Sequence, residues 1–538
     1  MSAPGPVTGL RHRLIRALGG QVPKEPGSHT TGLVISGGGA RSSFELGALQ
    51  YLYERERIAP TVITGTSAGS ILAAVLAQHA DPAGQRKAVA ELRRLWLDMR
   101  DSADMFAELP WFTKLNEHMP TWRKVMALRN RSTHRPRTSG LGAVLPRAIR
   151  NRPEQSAAAG HAEPTRGRHT PPAAENGSAI ASVAEQAEAE ARSEDEGSEH
   201  GLAWSVTNVL DTLSTLWEAG RTSTDLELIL SGAQQERAAF TPGPIVQRLT
   251  DPDLFDGAAV AASGITLRIA TVALESGELR YVTESGQIRD REDQPVPGEP
   301  RVDLVAAIRA SCAIPAVFPP VRLGSEHYVD GGARESLPVE VAMAQLGARH
   351  CYAVVASPTG LARSGDFGEK DMLEIVMRAG FGIMTDEILT DEIRRAAENG
   401  ATIIQPELDI HDILTIDPGL TAIAMDYGWS RAAEACTGAS ASARARVREV
   451  YEARRSLWSA EDLALRPRTA EADSSRGDAG RTAPVDARAL SEIGNLKHRL
   501  RSLVDAADAA LLPPGAHTWW RDFERHPYPV HAAPDWLH

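Results

Sequence analysis

The chain has 538 residues, with 70 acidic against 58 basic side chains and a formal net charge of −12. That balance argues against a dedicated nucleic-acid binder, which carries a basic excess. Cys312, Cys351 and Cys436 are too few for a disulfide framework, and no Cys/His spacing suggests a zinc site.

Apolar residues make up 42% and aromatics only 5%, enough for a large core that is mainly aliphatic. At roughly 150 residues per domain the length allows three or four domains, or one with long additions. The longest apolar runs, such as Ile71 to Ala77, fall short of the roughly 18 residues that span a bilayer. The N-terminus lacks a secretory apolar core. A cytoplasmic chain is expected, with any membrane contact peripheral.

Residues 1–30 are rich in Pro, Gly and Ser and are expected to be flexible. Within them Leu10, Leu14, Ile15 and Leu18 share one helical face among arginines, a pattern open to a surface anchor or a solvated tail. Leu33-Val34-Ile35 reads as a buried strand, then glycines, then a helix from Ser42 to Glu56. Thr61 to Thr64 is a second β-branched run, followed by Gly65-Thr66-Ser67-Ala68-Gly69 and a helix from Ser70 to Ala80. Strand, tight turn, helix, repeated, predicts a parallel α/β sheet.

The stretch at about 131–201 is crowded with Ala, Pro, Ser, Glu, Arg and Gly. It cannot bury enough apolar area to offset chain entropy, so a disordered insertion is expected. Helical pattern resumes from Trp204 to Leu230. A strand at Ile265 to Leu274 faces a hairpin partner at Leu279 to Thr283, and Val302 to Ala310 looks helical. Tyr328-Val329 ends a strand before Asp330-Gly331-Gly332, and Cys351 to Val355 and Ala401 to Gln405 are later strands. Three divisions follow: a segment 1–30, a catalytic domain 31–430 interrupted at 131–201, and a helical extension 431–538 with a polar linker at about 466–484.

Three pieces carry chemistry. The first is Gly65-Thr66-Ser67-Ala68-Gly69. A serine on a sharp strand-to-helix turn is strained, needs small neighbours two residues away, and presents its hydroxyl at a helix N-terminus that favours negative charge. The second is Gly37-Gly38-Gly39-Ala40-Arg41-Ser42, where three glycines let backbone N–H groups converge on an anion. Facing a nucleophile, that nest is an oxyanion hole, with Arg41 adding charge or bracing the loop. A dinucleotide-binding turn fits less well, because Ser42 stands at the last glycine position and no acidic residue ends a second strand. The third is Asp330-Gly331-Gly332, alone an ordinary turn, but with the other two the base partner of Ser67. His79, His327 and His350 have no distinctive setting and are read as structural.

An anion nest, a nucleophile turn and a late Asp-Gly-Gly, in that order, resemble the patatin-like phospholipases. Ile308 to Pro320, Tyr328 to Gly332 and Pro338 continue the likeness, which runs from about Thr31 to Pro358 outside the insertion. The resemblance implies a three-layer α/β/α fold with a mainly parallel sheet. It also implies a Ser67–Asp330 dyad without histidine, Ser67 as nucleophile and Asp330 as proton acceptor. Gly37, Gly38 and Gly39 would supply oxyanion donors supported by Arg41. Gly65, Thr66, Ala68 and Gly69 would form the nucleophile elbow, and Gly331 and Gly332 the aspartate motif.

No metal or cofactor is implied. The implied activity is hydrolysis of carboxylic esters in phospholipids, lysophospholipids or other acyl lipids through an acyl-enzyme. Transfer of the acyl group to another acceptor uses the same site, and a catalytically silent interaction protein is the alternative from a different class. The expected partners are an acyl-lipid substrate and a membrane surface, not nucleic acid. The departures are Ser42, where the family usually has glycine, and a long Ser67-to-Asp330 spacing that the insertion accounts for. Trp519, Trp520, Phe523, Tyr528 and Trp536 near the end suit either a membrane-interface surface or ordinary packing.

Overall fold

The computed structural model of the protein describes residues 30–114, 238–249, 251–361, 378–466 and 487–528, with isolated positions between 361 and 378. The expected insertion at 131–201, the helical pattern from Trp204 to Leu230, Trp536, nearly all of the segment 1–30 and nearly all of the linker at 466–484 lie outside the described residues. Two units are present, one from residues 1–109, 233–363 and 377–538, the other from 110–232 and 364–376. Residues 110–114 of the second are helical. The sheet and the site belong to the first.

Chain order begins with β1 (Thr31–Ile35), α1 (Ser42–Tyr51), β2 (Val62–Thr66), α2 (Ala68–Ala77) and α3 (Pro82–Asp98). A small antiparallel pair, β3 (Phe106–Glu108) and β4 (Phe240–Pro242), is followed by α4 (Pro244–Leu249) and α5 (Gly257–Ser263). Then come β5 (Thr266–Ala273), β6 (Leu279–Thr283), β7 (Ile288–Arg289), α6 (Leu304–Ser311), β8 (Val321–Leu323) and β9 (Glu326–Asp330). The last elements are β10 (His350–Val354), α7 (Thr385–Glu398), β11 (Thr402–Ile404), α8 (Pro418–Thr437), α9 (Ala441–Leu465) and α10 (Ala487–Ala506).

The main sheet runs β11-β10-β1-β2-β5-β6-β7, parallel from β11 to β5 and antiparallel beyond, with β9 on β5 and β8 on β9. Strand side chains alternate, and both faces are covered. Leu33, Ile35, Ile63, Leu267 and Ile269 enter the core shared with α1, α2, α3 and α8. Val34, Val62, Cys351 and Ala353 enter a second core with Leu389 and Ala396 of α7. Burial on both faces explains why these strands are nearly continuous apolar runs, and gives the expected three layers.

The expected boundary at residue 430 falls inside α8. Asp417 caps that helix through the N–H groups of Gly419 and Leu420, with Pro418 in the first turn, and Gly438 ends it in the left-handed conformation. Gly47 of α1 and Gly428 of α8 let the two backbones touch. A Cβ on Gly47 would lie 1.7 Å from the Met425 carbonyl oxygen, and one on Gly428 1.9 Å from that of Phe44. The C-terminal helices therefore complete the layer on which the sheet packs.

The terminal aromatics that are described turn inward. Trp519 lies under the Arg454 guanidinium at 3.9 Å, Trp520 is buried, and Tyr528 donates to the Asp462 carboxylate at 2.7 Å. Of the two readings offered for them, packing holds. Among the described residues no helix is long and apolar enough to cross a membrane.

Candidate active site

Two strands meet end to end along one edge of β5. β2 runs parallel to β5 and stops with Thr66 opposite Ala270. β9 runs antiparallel and stops with Asp330 opposite Thr271. Thr271 also pairs with Arg280 of β6, so β6 holds the other edge and β9 continues the line that β2 vacates. The residue after Thr66 and the residue ending β9 are thus brought together from opposite directions, although 263 positions separate Ser67 from Asp330 in sequence (330 − 67).

Ser67 sits at φ 54°, ψ −130°, at the N-cap of α2. A non-glycine residue there costs on the order of 1–3 kcal/mol and persists only where neighbours enforce it. They do so here. The Ser67 N–H donates to Ser311 Oγ at 2.9 Å, and that hydroxyl donates to the Ala270 carbonyl at 2.7 Å. The Ser67 carbonyl receives Ser70 N–H at 2.8 Å and Ser70 Oγ at 2.6 Å. A Cβ on Gly65 would lie 2.5 Å from the Gly69 carbonyl oxygen, and one on Gly69 2.2 Å from that of Ser36, so the turn closes only with glycine at both ends.

Asp330 is buried beside it. Its Oδ1 accepts the Gly332 N–H at 2.8 Å. Burial pushes the carboxyl up to about 6, outweighing the Gly332 N–H and the neighbouring Ser67 hydroxyl, which favour the anion. Gly331 is required for approach, since a Cβ would lie 2.6 Å from the Ala270 carbonyl oxygen.

The glycine loop leaves β1 beside the elbow. A Cβ on Gly37 would lie 3.1 Å from Ser67 Cβ, and the Gly37 N–H is committed to the Ser336 carbonyl at 3.1 Å. The N–H groups of Gly38 and Gly39 have no partner among the described residues. Arg41 braces the glycine loop. Its guanidinium grips the Asp409 carboxylate in a fork, and also reaches the His411 carbonyl at 3.0 Å and Ser357 Oγ at 3.1 Å. Ala40 N–H donates to the Ile413 carbonyl at 2.9 Å, so the loop after β11 holds the glycine loop from outside.

The patatin-like phospholipase family model matches residues 33–343, more than half of the chain. The chain belongs to that family. Patatin-like phospholipases hydrolyse acyl lipids, and this protein is therefore a lipid acyl hydrolase. Among solved structures it is similar to VipD from Legionella pneumophila, at 15% identity over 92% of this chain and 91% of that one, with a TM-score of 0.29. It is also similar to ExoU of the Pseudomonas aeruginosa type III secretion system in complex with SpcU, at 15% identity over 92% and 70% of the two chains, with a TM-score of 0.18. No curated protein sequence matches it.

None of the three histidines weighed as a base stands at this site. His327 Nδ1 pairs with Glu275 at 2.7 Å. His350 opens β10 at the amino edge of the parallel strands, and His79 follows the far end of α2. Sequence reasoning missed two partners. Ser311 was seen only as part of a family-like run, and Asp409 not at all, because 368 residues separate it from Arg41. Nothing local in the sequence marks either.

Proposed function

We propose that Ser67 is the nucleophile and Asp330 the proton acceptor in hydrolysis of carboxylic esters of acyl lipids. The observation that carries this reading is the meeting of β2 and β9 on one edge of β5, which brings Ser67 at the strained turn to the buried Asp330 carboxyl. Asp330 takes the Ser67 proton as Oγ attacks the ester carbonyl. The carbonyl oxygen gains negative charge where the Gly38 and Gly39 N–H groups and the N-terminus of α2 favour it. Collapse expels the alcohol with the proton from Asp330 and leaves an acyl-serine. Water, deprotonated by Asp330, then releases the fatty acid.

Peripheral contact with lipid is proposed at the carboxyl edge of the parallel strands. Ile383 and Met384, which precede α7, are 54% and 62% exposed. Leu361 and Ile413 follow β10 and β11 and are also exposed. The same edge carries Ser67 after β2, so an acyl chain reaching the nucleophile would leave its aggregate beside these side chains.

The test is fluorophosphonate labelling together with fatty-acid release from phospholipid vesicles, on the whole chain. Wild type is expected to label and turn over, and Ser67→Ala to do neither. A Ser67→Ala protein that still labels, or an Asp330→Asn protein with full turnover, sinks the dyad.

A further inference from the structure

The segment Glu335 to Pro338, just after the aspartate turn, touches both halves of the site with its backbone. The Glu335 carbonyl accepts Thr66 Oγ1 at 3.2 Å, one residue before the nucleophile. The Ser336 carbonyl accepts the Gly37 N–H at 3.1 Å, in the glycine loop. The Pro338 carbonyl accepts Thr64 Oγ1 at 2.9 Å, further down β2. One short strap thus sets the spacing between the elbow and the anion nest.

The strap has its own anchor. Oε2 of Glu392, a buried residue of α7, accepts both the Ser336 N–H at 3.2 Å and the Leu337 N–H at 2.9 Å. α7 otherwise meets the sheet through apolar side chains, among them Leu389 and Ala396. A carboxyl buried within such a layer is costly and is retained only where its bonds are needed.

We propose that Glu392 is a positioning residue for the acyl-transfer site, holding the 335–338 strap so that the Ser67 elbow and the glycine loop keep their registration. The inference rests on the reading of Ser67 and the glycine loop given above. Glu392 touches neither substrate nor reacting atoms and acts through two backbone N–H groups. Misplacement by about 1 Å costs on the order of a hundredfold in rate without weakening substrate binding equally.

Four forms of the whole chain test it: wild type, Glu392→Gln, Glu392→Ala and Leu389→Ala. Glutamine keeps an acceptor oxygen for both N–H groups, alanine removes it, and Leu389→Ala loosens the same helix while leaving the carboxyl that accepts the strap N–H groups in place. Glu392→Ala is expected to lower kcat about tenfold or more with little change in KM. Glu392→Gln should retain most activity, and Leu389→Ala should lose thermal stability but not kcat. Hydrogen exchange at the Gly37, Ser336 and Leu337 amides should accelerate in Glu392→Ala and not in Glu392→Gln.

Unchanged exchange in a folded Glu392→Ala protein, or an equal loss of kcat in Leu389→Ala at matched stability, overturns the role of Glu392. Failure of wild type to label at Ser67 overturns the dyad instead, and the exchange result still decides whether Glu392 sets the strap.

Discussion

Gly37 donates its N–H to the Ser336 carbonyl, 3.1 Å away, while the position of its missing Cβ lies 3.1 Å from Ser67 Cβ. The first glycine of the loop is therefore a spacer and a tether, and the proposed oxyanion donors are Gly38 and Gly39. Gly38 has an extended backbone at φ −169° that alanine can adopt, but a Cβ there would lie 2.3 Å from Ala356 Cβ. Gly38→Ala is expected to lose nearly all turnover and several degrees of melting temperature. Adding Ala356→Gly removes the obstruction, so the double variant should recover part of both. Vesicle hydrolysis and thermal melts of the three proteins check this, and no recovery would place the need for Gly38 elsewhere than in space.

The Asp330 carboxyl is pushed up to about 6 by burial, and only its anion can accept the Ser67 proton. kcat/KM on a neutral ester should therefore rise tenfold per pH unit below about 6 and level off above it. A profile that keeps rising through neutral pH would point to a different base.

Arg41 and Asp409 should act as one unit. Asp409 is half-exposed, so the pair adds only ~0–1 kcal/mol to stability, but it fixes the outer side of the anion nest. Arg41→Lys cannot reproduce the two-pronged grip. Arg41→Lys and Asp409→Asn are each expected to lower kcat several-fold, and the double variant no further than the worse single one. Additive losses in that cycle would show that the two residues act independently.

Stability should fall as the solution becomes more alkaline. Glu45 of α1 is fully buried under the glycine loop, and burial pushes its carboxyl up to about 8 from 4.5. Between those values the folded chain holds a proton that the unfolded chain releases, so unfolding becomes easier as pH rises through the window. Glu335 at about 7 and Glu392 at about 9 act in the same sense. Glu45→Gln carries no titratable proton, and its melting temperature should decline less than that of wild type between pH 5 and 9. Parallel curves for the two proteins would rule Glu45 out.

Ile383→Ser with Met384→Ser tests the lipid-facing edge. Binding to phospholipid vesicles, read by co-sedimentation, is expected to drop several-fold, while kcat/KM on a dispersed short-chain ester stays the same. Equal losses on both substrates would mean that these side chains support the fold instead.

Much of the site was legible because its parts are local. Gly65 and Gly69 are demanded by carbonyls within one turn and one neighbouring strand, so a pentapeptide betrays them. Asp330 could be joined to Ser67 through a family resemblance, and the register of β5 supplies the physical reason for the pairing. The bracing was not legible. Ser336, Glu392, Asp409 and Ile413 act largely through main-chain groups or across hundreds of residues, and a carbonyl oxygen leaves no mark on the sequence. The boundary at 430 rests on the pattern becoming helical only, whereas the close backbone approach of α1 and α8 depends on Gly47 and Gly428, two glycines that carry no signal in a helical pattern.

The neighbour of β1 has a practical meaning. The region that matches the family ends at residue 343, yet β1 is held on one side by β10, from His350 to Val354. A chain cut at 343 would leave the row of amide and carbonyl groups along Thr31–Ile35 open, in a strand with no charged residue to discourage a visitor. Without α8 it would also bare the groove over Gly47. Such a fragment, though it carries every residue proposed to do chemistry, is expected to stick to its own copies rather than fold.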